Sequence, residues 1–291
     1  MRDKVAKGEK NDRVHISGSG RISGGNFEKL IVTGSGTVTG QVNAEEITVS
    51  GSAKFKGDVK CEDLTVTGSA GLAGCLSAGK IVSRGSLRVE KMVESSSIKS
   101  YGSLDLGQDL RSNDIYLAGS SSIAGDVEGE RFASRGGFSI EGLLTADEIE
   151  IWLGSKNFAR EIGGERISIT KKAVSLEPNE EKVKQGIQNL ERGLKGLGDR
   201  LGFELEFDEE RISSGVSNVG RKVSSYINDI GKGSLESRII EGDEIELEGV
   251  EAEIVRGEKL VIGSDCLIDK AEYSDTIDVE EGAEPGEKVK I

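Results

Sequence analysis

The feature that most constrains this chain is a repeat running from Gly18 to Gly154. Glycine recurs at Gly18, Gly34, Gly51, Gly68, Gly85, Gly102, Gly119, Gly136 and Gly154, so the spacing is 16 residues once, 17 six times and 18 once. A serine follows every one of these anchors except Gly136. Four positions past the anchor lie Ile22, Val38, Phe55, Leu72, Val89, Leu106, Ile123, Ile140 and Phe158; eight past it come Val42, Val59, Leu76, Val93, Leu110, Val127, Leu144 and Ile162. Thirteen past it come Ile47, Leu64, Ile81, Ile98, Ile115, Phe132, Ile149 and Ile167. A period this strict marks one supersecondary unit stacked many times.

Within each unit apolar or small residues alternate with polar ones, the period of a strand with one buried face. A second glycine six positions after the anchor (Gly24, Gly40, Gly57, Gly74, Gly125, Gly142) interrupts the alternation where a corner is needed. Glycine suits such a corner because it takes positive φ without steric cost. Three short strands closing in about 17 residues predict an all-β solenoid, a parallel β-helix, with equivalent positions stacked about 4.8 Å apart. Ala44, Cys61, Ala78 and Ala146 share one narrow interior position. Aromatic residues make up only 4% of the 291 residues and Gly accounts for 41 of them, a supply that suits a core one side chain deep.

The pattern divides the chain into four parts. Residues 1–13 read as a mobile charged tail, and 14–177 as the β-helix. Residues 178–232 change period: Val183, Ile187, Leu190, Leu194, Leu197 and Leu201, then Ile212, Val216, Val219, Val223, Tyr226 and Ile230, are spaced alternately by 4 and 3. That stripe predicts a helical hairpin in which Leu190, Leu194 and Leu197 meet Val216, Val219 and Val223. Trp152, on an outward position just before this excursion, is expected to be shielded by the hairpin or its flanks. From 233 to 291 the β pattern resumes with Ile245 and Leu247, Leu260 and Ile262, and Ile277 and Val279, which predicts three further coils followed by a polar tail at 280–290.

Composition and motifs exclude several functions. A net charge of −14 disfavours nucleic acid and anionic membrane surfaces as partners. The charged N-terminus has no apolar core, so no signal peptide is expected, and the default location is cytoplasmic. The single histidine, His15, leaves no histidine triad or histidine-rich metal site, and the three cysteines make no C-x-x-C pair. Gly-Ser-Gly at Gly18–Gly20 and Gly34–Gly36 is followed by a strand, whereas a phosphate loop opens a helix. Asp58, Asp105, Asp109, Asp126 and Glu128 form no carboxylate ladder of the kind a sugar-cleaving β-helix displays. No catalytic residue, cofactor, metal or small-molecule substrate is expected.

The repeats Val49-Ser50-Gly51-Ser52-Ala53 and Val66-Thr67-Gly68-Ser69-Ala70, with Gly57-Asp58-Val59 and Gly125-Asp126-Val127 at the second corner, resemble those of bactofilins, polymer-forming cytoskeletal proteins. Glu253-Ile254-Val255-Arg256-Gly257, Val261-Ile262-Gly263 and Glu272-Tyr273-Ser274 resemble the closing part of longer members. The resemblance covers about 14–177 and 236–291. It implies a right-handed parallel β-helix that builds nucleotide-independent filaments end to end, acting as scaffolds near the membrane or cell wall, with envelope or membrane-associated proteins as partners. A membrane anchor and the hairpin are points at which this chain departs from the family.

A β-helix also ends in open sheet edges. The expected function is therefore self-assembly through the end coils, carried by Val14, Ile16 and Ile22 at one end and Ile277 and Val279 at the other. The alternatives are a solenoid interaction module that binds through the hairpin, and a carbohydrate-active β-helix enzyme.

Overall fold

A computed structural model describes residues 13–171 and 233–291. They form one all-β parallel solenoid of about 13 turns with about 17 residues per coil. Nineteen strands, from β1 (Arg13–Ile16) to β19 (Glu284–Lys290), hydrogen-bond as a single sheet. The predicted ladder is present: Ile47 pairs with Leu64, Leu64 with Ile81, Ile81 with Ile98, and Ile98 with Ile115. All five are buried, at 3% exposure or less. Cys61 stacks between Ala44 and Ala78, and burial pushes its thiol up to about 12, which makes it a small core residue.

The solenoid continues across the excursion. β15 (Lys156–Thr170) pairs directly with β16 (Ser234–Leu247), which places Ile245 on Ile167 and Leu247 on Ile169. β17 (Val250–Ile262) and β18 (Leu267–Val279) extend the same ladder, with Leu260 on Ile245 and Ile277 on Leu260. The expected hairpin over 178–232 and its six interface residues, Leu190, Leu194, Leu197, Val216, Val219 and Val223, lie outside the described residues, as does most of the expected N-terminal tail.

Of the second-corner glycines expected to use positive φ, only Gly40 does. Among the described residues, positive φ belongs only to Asp265 and to Gly25, Gly40, Gly249 and Gly282, none of them an anchor. The anchors are glycine because each corner lies directly on the one below. A Cβ on Gly51 would sit 2.1 Å from the Gly34 carbonyl oxygen, one on Gly68 2.0 Å from that of Gly51, and one on Gly119 1.8 Å from that of Gly102. Those carbonyls accept the N–H of the serine in the next coil: Ser52 N donates to Gly34 O at 2.8 Å, Ser69 N to Gly51 O at 2.8 Å and Ser120 N to Gly102 O at 3.0 Å. A methyl group there would occupy the space of the hydrogen bond that joins coil to coil.

Two inward side chains flank each anchor corner, two residues before and two after, and their sizes compensate. Early coils combine Val32 with Gly36, Val49 with Ala53 and Val66 with Ala70; later ones combine Ser83 with Leu87, Ser100 with Leu104, Leu117 with Ser121 and Ser134 with Phe138. The shared space is evident where glycine occupies one side, since a Cβ on Gly36 would lie 3.1 Å from the Val32 side chain. Ser83, Ser100, Ser121 and Ser134 are buried with no hydrogen-bond partner for the hydroxyl, a cost on the order of 1–3 kcal/mol each. Small volume is what the site demands of them.

The coil from Gly154 departs from the expected register. Phe158 is only half-buried, while Asn157 and Ala159 take the interior positions. β15 pairs with β14 (Gly137–Trp152) 19 residues apart at Ser139 and Ile140 but 18 apart from Leu143 onward, so the start of β15 is set one residue off the anchor spacing and a bulge between Ile140 and Leu143 restores it. Asn157 is satisfied there: its Oδ1 accepts the Phe138 N–H at 3.0 Å and its Nδ2 donates to the Ser155 carbonyl at 2.9 Å. The expected polar tail at 280–290 is instead largely strand β19, paired in parallel with β18. Pro285 and the charged Glu287, Lys288 and Lys290 disguised this strand in the sequence; both features are tolerated on an edge strand.

Gly68→Ala and Gly154→Ala separate corner stacking from ordinary glycine entropy. The first should lower stability by about 1–3 kcal/mol or more, as overpacking against backbone does. The second, where a Cβ would meet nothing within 4 Å, should change it by less than about 1 kcal/mol. Thermal unfolding of both variants checks the difference.

Candidate assembly site

The residues expected to carry self-assembly lie where the interior ladder reaches the ends of the rod. Ile16 is buried at 7% exposure, whereas Val14 and Ile22 are half-buried. β1 pairs with β2 (Ser19–Val32), placing Val14 on Leu30 and Ile16 on Val32. At the other end Ile277 and Val279 are half-buried. They pair with Leu260 and Ile262 beneath, while β19 covers β18 only as far as Tyr273. Among the described residues, the hydrophobic side chains packed against the core but left partly exposed are Val14, Ile22, Tyr273, Ile277, Val279 and Ala283. All six belong to the terminal coils. Tyr273 and Ala283 were not singled out by the repeat, because one borders a pairing shift in β18 and the other lies in the turn before β19.

Charge is managed coil by coil along the outside. Lys29 pairs with Glu46 at 2.7 Å, Arg88 with Asp105 at 2.5 Å, Arg111 with Glu128 at 3.3 Å and Lys259 with Glu244 at 2.7 Å, each bridging adjacent coils. Exposed pairs of this kind are worth at most about 1 kcal/mol each, but they keep acids of stacked coils from facing one another unopposed.

The acids at the second corner have a structural role. Asp58 Oδ1 accepts the Cys75 N–H at 2.9 Å, Asp109 Oδ1 that of Asp126 at 3.0 Å, and Asp126 Oδ1 that of Leu143 at 2.9 Å. Asp109 and Asp126 do therefore stack on adjacent coils, contrary to the expectation of scattered acids. Gly74, Gly125 and Gly142 make room for those carboxylates, since a Cβ on each would lie 2.5, 2.1 and 2.2 Å from the Asp oxygen. The Gly-Asp pairs are a corner clamp.

An open groove of about 480 Å³ runs over the C-terminal coils, lined in part by Glu236, Glu251, Glu253, Asp269, Arg160 and Arg238. All six are exposed, and a general acid working near neutral pH needs a desolvated carboxyl. His15 is exposed, its Nε2 2.9 Å from Thr33 Oγ1, in agreement with a surface role. Among the described residues no group of three metal-ligating side chains occurs, and no helix is long and apolar enough to cross a membrane.

Comparison with known proteins places this geometry in context. Residues 5–90 match the family model of bactofilin, described as polymer-forming cytoskeletal, so the resemblance carried by the repeats is borne out over that part. The chain is 30% identical over 100 residues to the uncharacterized protein YhbF of Bacillus subtilis (strain 168), covering 34% of this chain and 42% of that relative. It is 52% identical over 40 residues to the uncharacterized protein YhbE of the same organism, covering 14% of this chain and 17% of the relative. The chain thus spans less than half the length of either curated relative. No solved structure matches significantly.

The C-terminal coils carry an acid-sensitive clamp. Glu272, with its side chain 12% exposed, accepts hydrogen bonds from Lys270 and Arg256, both at 2.7 Å, and these two hold its carboxyl below the ordinary value of 4.5. A depressed carboxyl contributes stability that is complete above its unfolded value and lost as pH falls through the lower folded one. The amide protection factors of β18 and β19, corrected for the intrinsic pH dependence of exchange, should therefore fall on acidification below about 4.5. Glu272→Gln should flatten that dependence; the same profile in both proteins would rule the clamp out.

Proposed function

We propose that this chain is a structural, self-assembling protein whose solenoids stack end to end into filaments without a nucleotide. The supporting observation is the location of incompletely buried core: among the described residues, its six partly exposed side chains sit at the two ends of the rod. Stacking one terminal coil on another continues the apolar ladder and supplies partners for the edge N–H and C=O groups, so assembly draws on the same contacts as the fold. The polymer-forming family matched by residues 5–90 supports this reading. Nothing in such stacking calls for hydrolysis.

The two ends are unequal. At the C-terminal end Pro285 donates no N–H, which blunts part of the edge, while the stretch carrying Ile277 and Val279 is left without a strand beyond it among the described residues. Filaments would act as scaffolds inside the cell, near the membrane or wall, with envelope-associated proteins as clients. The interaction-module alternative would place binding in residues 178–232.

The opposing force is repulsion between subunits of charge −14, which salt screens over about 8–10 Å at ordinary ionic strength. Sedimentation at low and high salt should show wild-type polymer that persists or grows as salt rises. Ile16→Lys and Ile277→Lys should each abolish it while the circular dichroism of the central coils is retained. Wild-type protein that stays monomeric at every concentration would favour the interaction module.

A further inference from the structure

One long face of the rod carries a charge pattern that is complementary to itself when reversed. The face consists of the outward positions of the strand segment leading into each anchor corner. Its central ladder runs Val82, Lys99, Tyr116, Ala133, Glu150, Ser168, Glu246, Val261, each paired with the next across adjacent coils. Beside it runs a second ladder, Asp114, Arg131, Glu148, Arg166. The half nearer the N-terminus is basic and aromatic. The half nearer the C-terminus is acidic, in a chain whose net charge is −14.

Several of these groups lack a counter-ion within their own chain. Among the described residues Lys99, Arg84, Arg135, Glu150 and Glu246 form no ion pair. The guanidinium of Arg135 lies 4.4 Å from the centroid of Trp152, and that of Arg84 lies 5.7 Å from Tyr101, which is 46% exposed. Val261 is an exposed aliphatic residue at 36%. Lone exposed cations, acids and apolar groups are each ordinary; their order along one ladder is the informative observation.

We infer that this face pairs laterally with the same face of a second copy, the two rods antiparallel, about a two-fold axis between the coils of Arg131 and Glu148. A two-fold axis lying in the interface along the strand direction reverses the order of coils and preserves position within each strand. Lys99 then meets the partner copy's acidic position at Glu246, and Val82 meets the apolar position at Val261. In the second ladder Arg131 faces the Glu148 position and Asp114 the Arg166 position, while at its ends Lys80 meets Lys259, whose charge Glu244 of its own chain already pairs. Within one chain Arg131 is paired with Asp114 and Arg166 with Glu148, so two ion pairs would close into a four-membered charge cluster. A parallel arrangement would instead set each charge against its own copy, which is repulsive.

The area is adequate. Eight coils at about 4.8 Å, across a strand face of five residues at about 3.3 Å each, give on the order of 600 Å² per copy. Roughly 1,200 Å² in total is the lower bound of a specific interface, appropriate to a weak lateral contact repeated along a rod. The contact uses a different surface from the coil ends and is open to single rods and filaments alike. It also has the opposite salt response, because its attraction is between exposed charges.

Carbodiimide cross-linking of a mixture of isotope-labelled and unlabelled wild-type chains at low salt tests the pairing. The expected product is a mixed-label cross-link between Lys99 and Glu246, lost at high salt. Lys99→Glu and Glu246→Lys should each weaken lateral association roughly tenfold or more, as reversed interfacial charges do. The double variant Lys99→Glu/Glu246→Lys should restore it, since the swap re-forms both contacts. Cross-links from Lys99 confined to its own chain, residues 172–232 included, would overturn the proposal, as would a double variant no better than the singles. Polymer that survives in the single variants would leave end stacking intact, so failure of one assembly contact is distinguishable from failure of the other.

Discussion

The long central part of this rod depends on one close contact repeated from Gly34 to Gly136: an anchor glycine whose α carbon lies on the carbonyl oxygen of the anchor below. With Cβ positions only 1.8–2.2 Å from that oxygen, no other residue allows the corner to close at the spacing of a sheet. The serine N–H donated to the same carbonyl then locks the next coil in register. Because the corners align, positions 4, 8 and 13 stack on themselves, and a core one side chain deep becomes continuous. A slip of one residue would turn every inward side chain outward, which is why the period is kept so strictly.

The narrowness of that core explains its composition. Two side chains share each anchor corner, and where one grows to Leu87, Leu104 or Phe138 the other contracts to serine. Phe132 and Phe138 meet edge to face at 5.6 Å where two aromatics must fit. The second corner is built by a different device, an Asp carboxylate taking the backbone N–H of the next coil across a gap that glycine leaves. Carboxylates that might have suggested sugar chemistry are thus part of the frame. Among the described residues, what remains of the core without cover is at the ends.

The period, the interior ladder and the resumption of coils after the excursion were legible in the sequence, because stacked strands repeat the same requirement at the same offset. Ile245, Leu260 and Ile277 could be assigned to the same interior position from the resumed alternation, with Leu260 and Ile277 17 residues apart. Other features were not legible. Periodicity shows that a glycine is needed but not whether φ or crowding demands it, and crowding proved to be the reason at the anchors. One inserted residue after Gly154 shifted the interior from Phe158 to Ala159, since a bulge leaves no trace in a hydrophobic pattern until the ladder is seen. β19 hid behind Pro285 and its charges. The end residues Val14, Ile16, Ile22, Ile277 and Val279 were found by reasoning about edges, whereas Tyr273 and Ala283 lie off the repeat.

The central claim is that assembly continues the fold, with one solenoid's ladder running into the next. Diffraction from oriented filaments tests it most directly. A continuous ladder predicts a sharp meridional reflection near 4.8 Å, the spacing of stacked strands along the filament axis. Its coherence length should exceed one rod, because coils on either side of a junction keep the same spacing. Filaments whose 4.8 Å order ends within a single subunit, or lies across the filament axis, would contradict the account.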